Sequence, residues 1–232
     1  MGQSTTANTS ILYTVWNGIG VIADGQTYKN LLYLLLAFPL GMVYYVILMI
    51  GFTVGLGLSV IVVGLGILLA TVIGLRFIAS FERSLANTLL GTSIPKPADV
   101  TKTSGGVVGT AKAYIQASST WRGLGFVALK FWIGVLSFVL LVTFLGTAVE
   151  LLLVPLFPTG VFNIVVFDWV VAESVETTTE LAIAFLAGVV LLFIAFHILN
   201  AFARANASIA SSLLGPETEA ANKQAADSNH EA

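Results

Sequence analysis

The chain has 232 residues, of which 57% are hydrophobic and only 9% are charged, and its formal net charge is −2. A soluble globular domain carries roughly 25% charged residues, so this composition excludes a water-facing surface over most of the chain. It predicts an integral membrane protein. The absence of cysteine excludes disulfides, thiolate metal sites and cysteine nucleophiles.

The N-terminal segment, residues 1–26, precedes the first long apolar run. Its apolar residues recur at helical spacing from Ile11 to Ile19, which predicts a helix lying in the plane of the membrane.

The first apolar run has no charged residue from Leu31 to Leu75. As one helix it would be about 68 Å long, more than twice the thickness of the hydrocarbon layer, roughly 30 Å. The run must therefore fold back on itself. Glycines at positions 51, 55 and 57 mark the expected reversal, which gives spans near 31–52 and 56–78.

Two further spans are predicted near 124–149 and 181–203, interrupted only by Lys130 and His197. The segment between them contains two prolines, Asp168 and a cluster of threonines and acids, which argues against a fifth crossing. Within residues 155–180, the stretch VFNIVVFDWVV is apolar enough to lie along the outer interface. A re-entrant segment is the alternative.

The cations give the orientation, because six of the ten Lys and Arg residues lie between the second and third spans. The positive-inside rule places that loop and both termini in the cytoplasm. We expect a multi-pass protein of the cell membrane, with a cytoplasmic linker at 92–119 and a disordered cytoplasmic tail at 216–232.

The chain also contains an internal repeat. Residues 27–48 align without a gap to residues 120–141, and Phe81-x-Arg83 matches Phe202-x-Arg204, each followed by Leu-Leu-Gly and then a proline. Each unit crosses twice and returns to the same side, so the two copies share one orientation. The predicted fold is an all-α integral membrane protein with four transmembrane helices, built as two parallel two-helix repeats at 27–91 and 120–215.

Two sets of repeat-related residues have structural interpretations. Aromatic rings and cations at headgroup depth predict interfacial anchors: Tyr28, Lys29, Trp121 and Arg122. Small residues at equivalent positions, Gly41 and Gly134, predict close helix–helix approach.

Basic residues also cluster just inside the cytoplasmic end of the spans. Arg76 and His197 occupy equivalent repeat positions, and Lys130 lies about 9 Å into the third span. One interpretation is snorkelling toward the headgroups. The other is a basic pocket that holds an anionic lipid or ligand headgroup, formed by Arg76, Lys130, His197, Arg83 and Arg204.

Several function classes lose support. No Asp or Glu falls in the middle of the predicted spans, which argues against ion- or proton-coupled transport. No metal-ligand pair, Ser-His-Asp set or phosphate-binding glycine loop is present, so we expect no enzyme, no cofactor and no nucleic-acid partner.

The chain resembles the "putative sensor" domain family, a four-helix membrane module of prokaryotes that often precedes histidine kinase modules. The resemblance rests on LLYLLLAFPLGMVYYVILMIGFTVGLGL, FERSLANTLLG, TWR and SSLLGP, and covers residues 27–216. It implies a sensory or signal-relay module. Because the sequence stops after the sensor, we expect output through a separate histidine kinase or regulator.

Two other functions remain open. The chain could be a structural or accessory membrane protein that binds lipid or a larger membrane complex. A small-molecule transporter ranks third. An oligomer of the chain in the lipid bilayer is compatible with each of these functions.

Overall fold

The computed structural model describes residues 20, 23–60, 62–97, 106–156, 164–166, 169–172 and 177–216. The expected interfacial helix at 11–19 and nearly all of the expected tail at 216–232 lie outside these residues.

The described chain is dominated by long helices. They are α1 (Gly25–Gly57), α2 (Val62–Leu89), α3 (Gly106–Gln116), α4 (Ser118–Leu140), α5 (Thr147–Leu153) and α6 (Thr178–Leu214). A π-helical segment, Leu141–Gly146, joins α4 to α5, and a 3₁₀ turn, Val154–Leu156, follows. Among the described residues, four helical stretches are long and apolar enough to cross a membrane: Gly25–Gly57, Val63–Leu89, Ser118–Leu156 and Thr178–Leu214. The prediction of an all-α membrane protein with four transmembrane helices is confirmed.

Local sequence signals set the helix ends. Asp24 caps α1 by accepting a hydrogen bond from the backbone N–H of Gln26, and Thr177 and Glu180 form a capping box at the start of α6. Gly91 follows α2 with φ of 66°, a left-handed conformation that glycine adopts without a steric cost. The helices extend well beyond the predicted spans, because these caps lie outside the purely apolar runs.

The expected reversal at Gly51 and Gly55 is wrong. Both glycines lie within α1, and the turn follows at residues 58–60. A Cβ atom on Gly55 would lie 2.7 Å from the side chain of Leu68, and one on Gly51 would overlap the side chain of Thr71. These glycines therefore allow α1 and α2 to pack closely, as small residues do between membrane helices.

Two short paired strands lie where the sequence predicted only an interfacial or re-entrant apolar stretch. Strands β1 (Ile164–Val166) and β2 (Trp169–Ala172) pair antiparallel, with Val166 opposite Trp169. The β-branched and aromatic residues of this stretch favour a strand over a helix.

The bundle is organised around α1 and α4, whose mutual contact is the most extensive in the structure. Helix α2 packs against α1, and α6 packs against the span formed by α4 and α5. The main apolar core includes Tyr33, Leu34, Phe126 and Leu199, each at most 1% exposed.

The contact between α1 and α4 depends on the two predicted packing glycines. A Cβ atom on Gly41 would lie 2.7 Å from the carbonyl oxygen of Lys130, and one on Gly134 would overlap the carbonyl oxygen of Ala37. The two contacts are equivalent under the sequence repeat, because Gly41 and Gly134, like Ala37 and Lys130, are 93 positions apart. Close backbone approach explains why both positions are glycine.

Aromatic pairs flank the glycine contact with the same symmetry. Phe38 stacks on Phe138 with ring centroids 4.7 Å apart, and Tyr45 stacks on Phe131 at 4.6 Å. A shift of 93 positions converts the residues of one pair into those of the other. A repeated unit would produce such matched contacts, so they support the repeat prediction.

We predict that Gly134→Ala destabilises the bundle by about 1–3 kcal/mol, the usual effect of inserting a methyl group into a packed interface. Gly125→Ala is the matched control, because a Cβ atom at Gly125 meets nothing within 4 Å. The control should be neutral or more stable by up to about 1 kcal/mol, the helix-propensity difference between the two residues. Thermal unfolding in detergent measures both variants, and equal stabilities would contradict the packing role of Gly134.

Candidate functional site

Lys130 and Glu82 form a buried ion pair within the bundle. The Nζ atom of Lys130 on α4 lies 2.7 Å from Oε2 of Glu82 on α2, and both side chains are 0% exposed. Lys130 also donates a hydrogen bond of 2.9 Å to the hydroxyl of Tyr33 on α1. This polar cluster therefore connects three of the four membrane-spanning helices.

Aromatic rings line the remaining side of the ammonium group. Nζ of Lys130 lies 4.1 Å from the ring centroid of Tyr33 and 5.8 Å from that of Phe126. The negative face of an aromatic ring attracts a cation, and the attraction strengthens where water is excluded. The rings thus help to stabilise a charge that has no access to solvent.

The cluster keeps unused hydrogen-bonding capacity. Oε1 of Glu82 and the hydroxyl of Tyr44 are both buried, and neither has a hydrogen-bond partner among the described residues. An unsatisfied buried polar group costs about 1–3 kcal/mol. The Tyr44 hydroxyl lies close to the Glu82 carboxylate, so it is the donor that a small movement would bring into a full hydrogen bond with Oε1.

The structure corrects one sequence interpretation at this cluster and extends another. Lys130 neither snorkels nor lines an open basic pocket, because Glu82 neutralises it inside the bundle. The sequence excludes carboxylates only from the middle of the predicted spans, and Glu82 lies past the predicted span end at residue 78, where α2 continues to Leu89 and is still buried. The sequence does contain a signal for the burial of Glu82. Leu75, Ile78, Ala79, Glu82 and Ala86 recur at helical spacing, which places Glu82 on the same face of α2 as these small and apolar residues.

Two arginines hold the C-terminal end of α6. Nε of Arg83 donates a hydrogen bond of 3.2 Å to the carbonyl oxygen of Leu214, and Arg122 donates to the carbonyl oxygen of Ser212. The last carbonyl groups of a helix have no partner within that helix, so basic side chains from α2 and α4 satisfy them here.

Arg76 is engaged where α2 meets the start of α4. Its guanidinium donates hydrogen bonds to the hydroxyls of Ser119 at 3.0 Å and Thr120 at 2.6 Å. It also lies 4.9 Å from the ring centroid of Tyr114 on α3. The guanidinium therefore fills the space between α2, α3 and α4.

His197 and Arg204 line a separate polar cavity of about 220 Å³ between the start of α1 and the middle of α6. The Nδ1 atom of His197 lies 2.9 Å from the carbonyl oxygen of Phe193. Arg204 is exposed and makes no hydrogen bond or ion pair with any residue that the structure describes.

The floor of this cavity is a fixed network of side-chain amides and a hydroxyl. Asn30 donates to Asn200 at 2.6 Å, and Asn200 donates to Thr27 at 3.0 Å. Gln26 donates to Asn30 at 2.8 Å and to the carbonyl oxygen of Leu89 at 2.7 Å. Thr27, Asn30 and Asn200 of the lining therefore accept hydrogen bonds from within the protein.

A tight counterpart of this cavity, about 30 Å³, lies beside Arg76 and Arg83. Six of its seven lining residues correspond to lining residues of the larger cavity under the repeat alignment: Arg76 to His197, Ala79 to Asn200, Arg83 to Arg204, Ser119 to Gln26, Gly123 to Asn30 and Leu214 to Leu90. The five basic residues expected in one pocket thus occupy three places. Lys130 is in the ion pair, Arg76 and Arg83 are in the tight cavity, and His197 and Arg204 are in the open one.

The expected interfacial anchors lie at the same end of the bundle. Tyr28 and Trp121 are 53% and 57% exposed, and Lys29 is exposed. Nε1 of Trp121 donates to the carbonyl oxygen of Ile115 at 2.8 Å. Arg122 is half-buried, because it caps α6. The anchoring role of the other three remains a prediction.

We predict that Lys130→Met or Glu82→Gln alone lowers the free energy of unfolding by about 3–5 kcal/mol, because each leaves a buried group without its partner. The double variant should lose less than the sum of the single losses. Unfolding in mixed micelles measures all three variants.

Lys112→Met is the control for loss of a cation, because Lys112 is exposed on α3. It should change stability by no more than about 0.5 kcal/mol. Strict additivity of the Lys130 and Glu82 changes would show that the ion pair does not form.

Comparison with known proteins gives one match. The family model described as "Putative sensor" matches residues 33–214, which include the first membrane-capable helix from its third turn onward and the other three in full. No curated protein and no solved structure matches the chain. The family description names sensing and no catalytic activity. With a match over more than half of its length, the chain belongs to the family described as "Putative sensor".

Proposed function

We propose that this chain is a membrane-embedded sensory module that relays a change in helix packing to a separate protein. The observation that carries the proposal is the buried Lys130–Glu82 pair with its unused neighbours, Glu82 Oε1 and Tyr44. A polar cluster that leaves a donor and an acceptor unsatisfied has a second arrangement open to it, in which those two groups gain partners. Signalling requires such a two-state element, which a stimulus can bias.

The helices that carry the ion pair also hold the end of α6. Glu82 and Arg83 are neighbours on α2, while Lys130 and Arg122 lie two turns apart on α4. A shift of α2 against α4 would therefore alter both caps on the α6 carbonyl groups. A rearrangement of the ion pair inside the membrane would therefore change how Arg83 and Arg122 hold the C-terminal end of α6.

The segment after α2 offers a route to a partner. Asn87 accepts a hydrogen bond from the backbone N–H of Ile94 at 2.8 Å, and the side chain of Ile94 is buried in the main core. A displacement of α2 would move Asn87 and so change how firmly the segment that contains Ile94 is held against the bundle. In the proposed topology this end is cytoplasmic, where six of the ten cations lie, and the partner is a histidine kinase or regulator.

An accessory role is the second candidate, favoured by the open polar cavity at Arg204 and His197. In that role the chain would bind lipid or stabilise a larger membrane complex. It would not need the ion pair to change its arrangement.

Affinity purification from native membranes after cross-linking distinguishes the two roles. We expect the wild-type chain to enrich a kinase or regulator over an unrelated four-span protein. The Lys130→Met/Glu82→Gln double variant should change that enrichment by about threefold or more, since it fixes the cluster in an uncharged form.

The control variant Lys112→Met should behave as the wild type, because Lys112 is exposed on α3 and is not part of the ion pair. The opposite outcome is that all variants enrich the same transport or envelope complex, at a fixed stoichiometry and to an equal extent, and enrich no kinase or regulator. That result would contradict the sensory proposal and favour the accessory role.

A further inference from the structure

We propose that the π-helical segment Leu141–Gly146 is a conformational switch, which turns α5 about its axis against α6 while α4 stays fixed in the bundle. The charge of Glu150 on α5 holds the switch in the orientation that the structure shows. This inference deepens the proposed function by naming where a stimulus acts. Only its signalling consequence rests on that function, because the rotation is a property of the chain alone.

The π segment interrupts one of the four long spans. Helix α1, the counterpart of this span in the repeat, is α-helical from Gly25 to Gly57. A π-helix, with its i→i+5 hydrogen bonds, holds roughly one more residue per turn than the 3.6 of an α-helix, and such turns occur frequently at functional sites. Conversion of one turn from π to α would therefore release about one residue and rotate the helix beyond it by about 100°.

The two sides of the π segment are attached to different helices. On one side, α4 is fixed by Gly134, which packs on the backbone of α1, and by the ion pair of Lys130 with Glu82 on α2. On the other side, α5 packs on α6, where a Cβ atom on Gly188 would lie 3.0 Å from Cβ of Leu151. Helix α5 can therefore turn against α6 without breaking the contacts that hold α4.

A rotation by one residue would change which side chains of α5 face α6. Ala148 is now 0% exposed and Leu151 contacts Gly188, whereas Thr147 and Glu150 are half-buried beside them. After the release of one residue, Thr147 would occupy the place of Ala148, and Glu150 would occupy the place of Leu151. The two states therefore differ in whether an apolar or a polar pair of side chains faces α6.

The carboxylate of Glu150 decides between the two states. In the rotated state it would lie against Gly188 and beside Ala184 and Leu181, which belong to an entirely apolar cluster. A charged group is costly in an apolar contact between membrane helices unless it is paired. The observed orientation is therefore the resting state, and a stimulus that neutralises Glu150 favours the rotated state.

Helix α6 connects this switch to the opposite end of the bundle. It is one continuous α-helix over Thr178–Leu214, and its last carbonyl groups are held by Arg83 and Arg122. A turn of α5 would displace the part of α6 that it contacts. The displacement would then alter the two arginine contacts at the other end of the same helix.

Two single-residue deletions in the full-length chain test the geometry of the π segment. Val142 is an exposed residue within it, and Met49 is the exposed residue at the equivalent position of α1. Without Val142 the segment can close as an α-helix with both flanks in place, so the melting temperature should fall by no more than about 3 °C. Deletion of Met49 rotates the end of α1 away from α2 and should lower it by about 10 °C or more. Equal losses would overturn the proposal.

Spin-label distances in nanodiscs test the rotation itself. The chain has no cysteine, so Val149→Cys on α5 and Leu186→Cys on α6, both at exposed positions, give a single labelled pair. A side-chain end about 5 Å from the helix axis moves by about 8 Å in a 100° turn. We expect one main distance in the otherwise unchanged chain and a second, resolved population in Glu150→Leu, because an apolar residue would then face Gly188.

Two further variants connect that second population to the π segment and to the charge. Deletion of Val142 in the Glu150→Leu background should remove it, since no residue is left to release. Glu150→Asp keeps the charge and should give the main distance alone. A single unchanged distance in Glu150→Leu, or a second population that persists after the deletion, would overturn the switch.

The distance measurement needs no protein partner, so the two proposals fail separately. A missing rotation, with partner enrichment still dependent on the Lys130–Glu82 pair, overturns the switch and leaves the sensory proposal standing. A rotation that occurs as expected in a chain that enriches no kinase or regulator supports the switch and contradicts only the sensory proposal.

Discussion

The buried ion pair between Lys130 and Glu82 is the interaction on which the rest of the structure depends. A charge inside a bilayer is costly unless it is paired, so α2 and α4 must stay together wherever the bundle is in the membrane. Tyr33 adds α1 to the same contact. The C-terminal end of α6 is then held by arginines on the two helices that the pair joins. A change at one buried contact can thus reach all four spans.

The pair also marks where the two halves of the chain differ. The glycine contact of α1 with α4 and its flanking aromatic stacks are matched across the repeat alignment. The counterparts of Lys130 and Glu82 are Ala37 and Ala203, each 0% exposed. The contact between α2 and α4 therefore has two charges where the equivalent contact between α6 and α1 has two methyl groups, and each repeat contributes one charge. The same contrast appears at the basic end, where Arg76 closes one cavity and His197 leaves the other open. A common scaffold with local asymmetry suits a module that responds to a ligand on one side.

Sequence reasoning predicted the membrane class, the four spans and the two packing glycines, because apolar runs and small residues report directly on the lipid environment. The apolar run predicts a span that ends near residue 78, whereas the buried part of α2 continues beyond it, because Glu82 is paired with Lys130 inside the bundle instead of lying at the membrane surface. The partner of Lys130 could not be found without the crossing of α2 and α4, since the two residues are 48 positions apart. The strand pair at 164–166 and 169–172 cannot be predicted from its sequence, because an apolar run gives no helix-or-strand signal by periodicity alone. The division of five basic residues among three places depends on which acceptors lie near each, a property of packing rather than of composition.

In this structure a charged lysine and a charged glutamate meet inside the bundle, where a bilayer would surround them. Solid-state NMR of the chain in lipid, with ¹⁵N on lysine Nζ and ¹³C on glutamate Cδ, measures this contact directly. The structure predicts strong dipolar coupling between Lys130 and Glu82, whose Nζ and Oε2 atoms are 2.7 Å apart, and loss of the coupled signal in Glu82→Gln. An uncoupled Lys130 signal that exchanges with water as fast as the signals of the exposed lysines would contradict the pairing of Lys130 with Glu82.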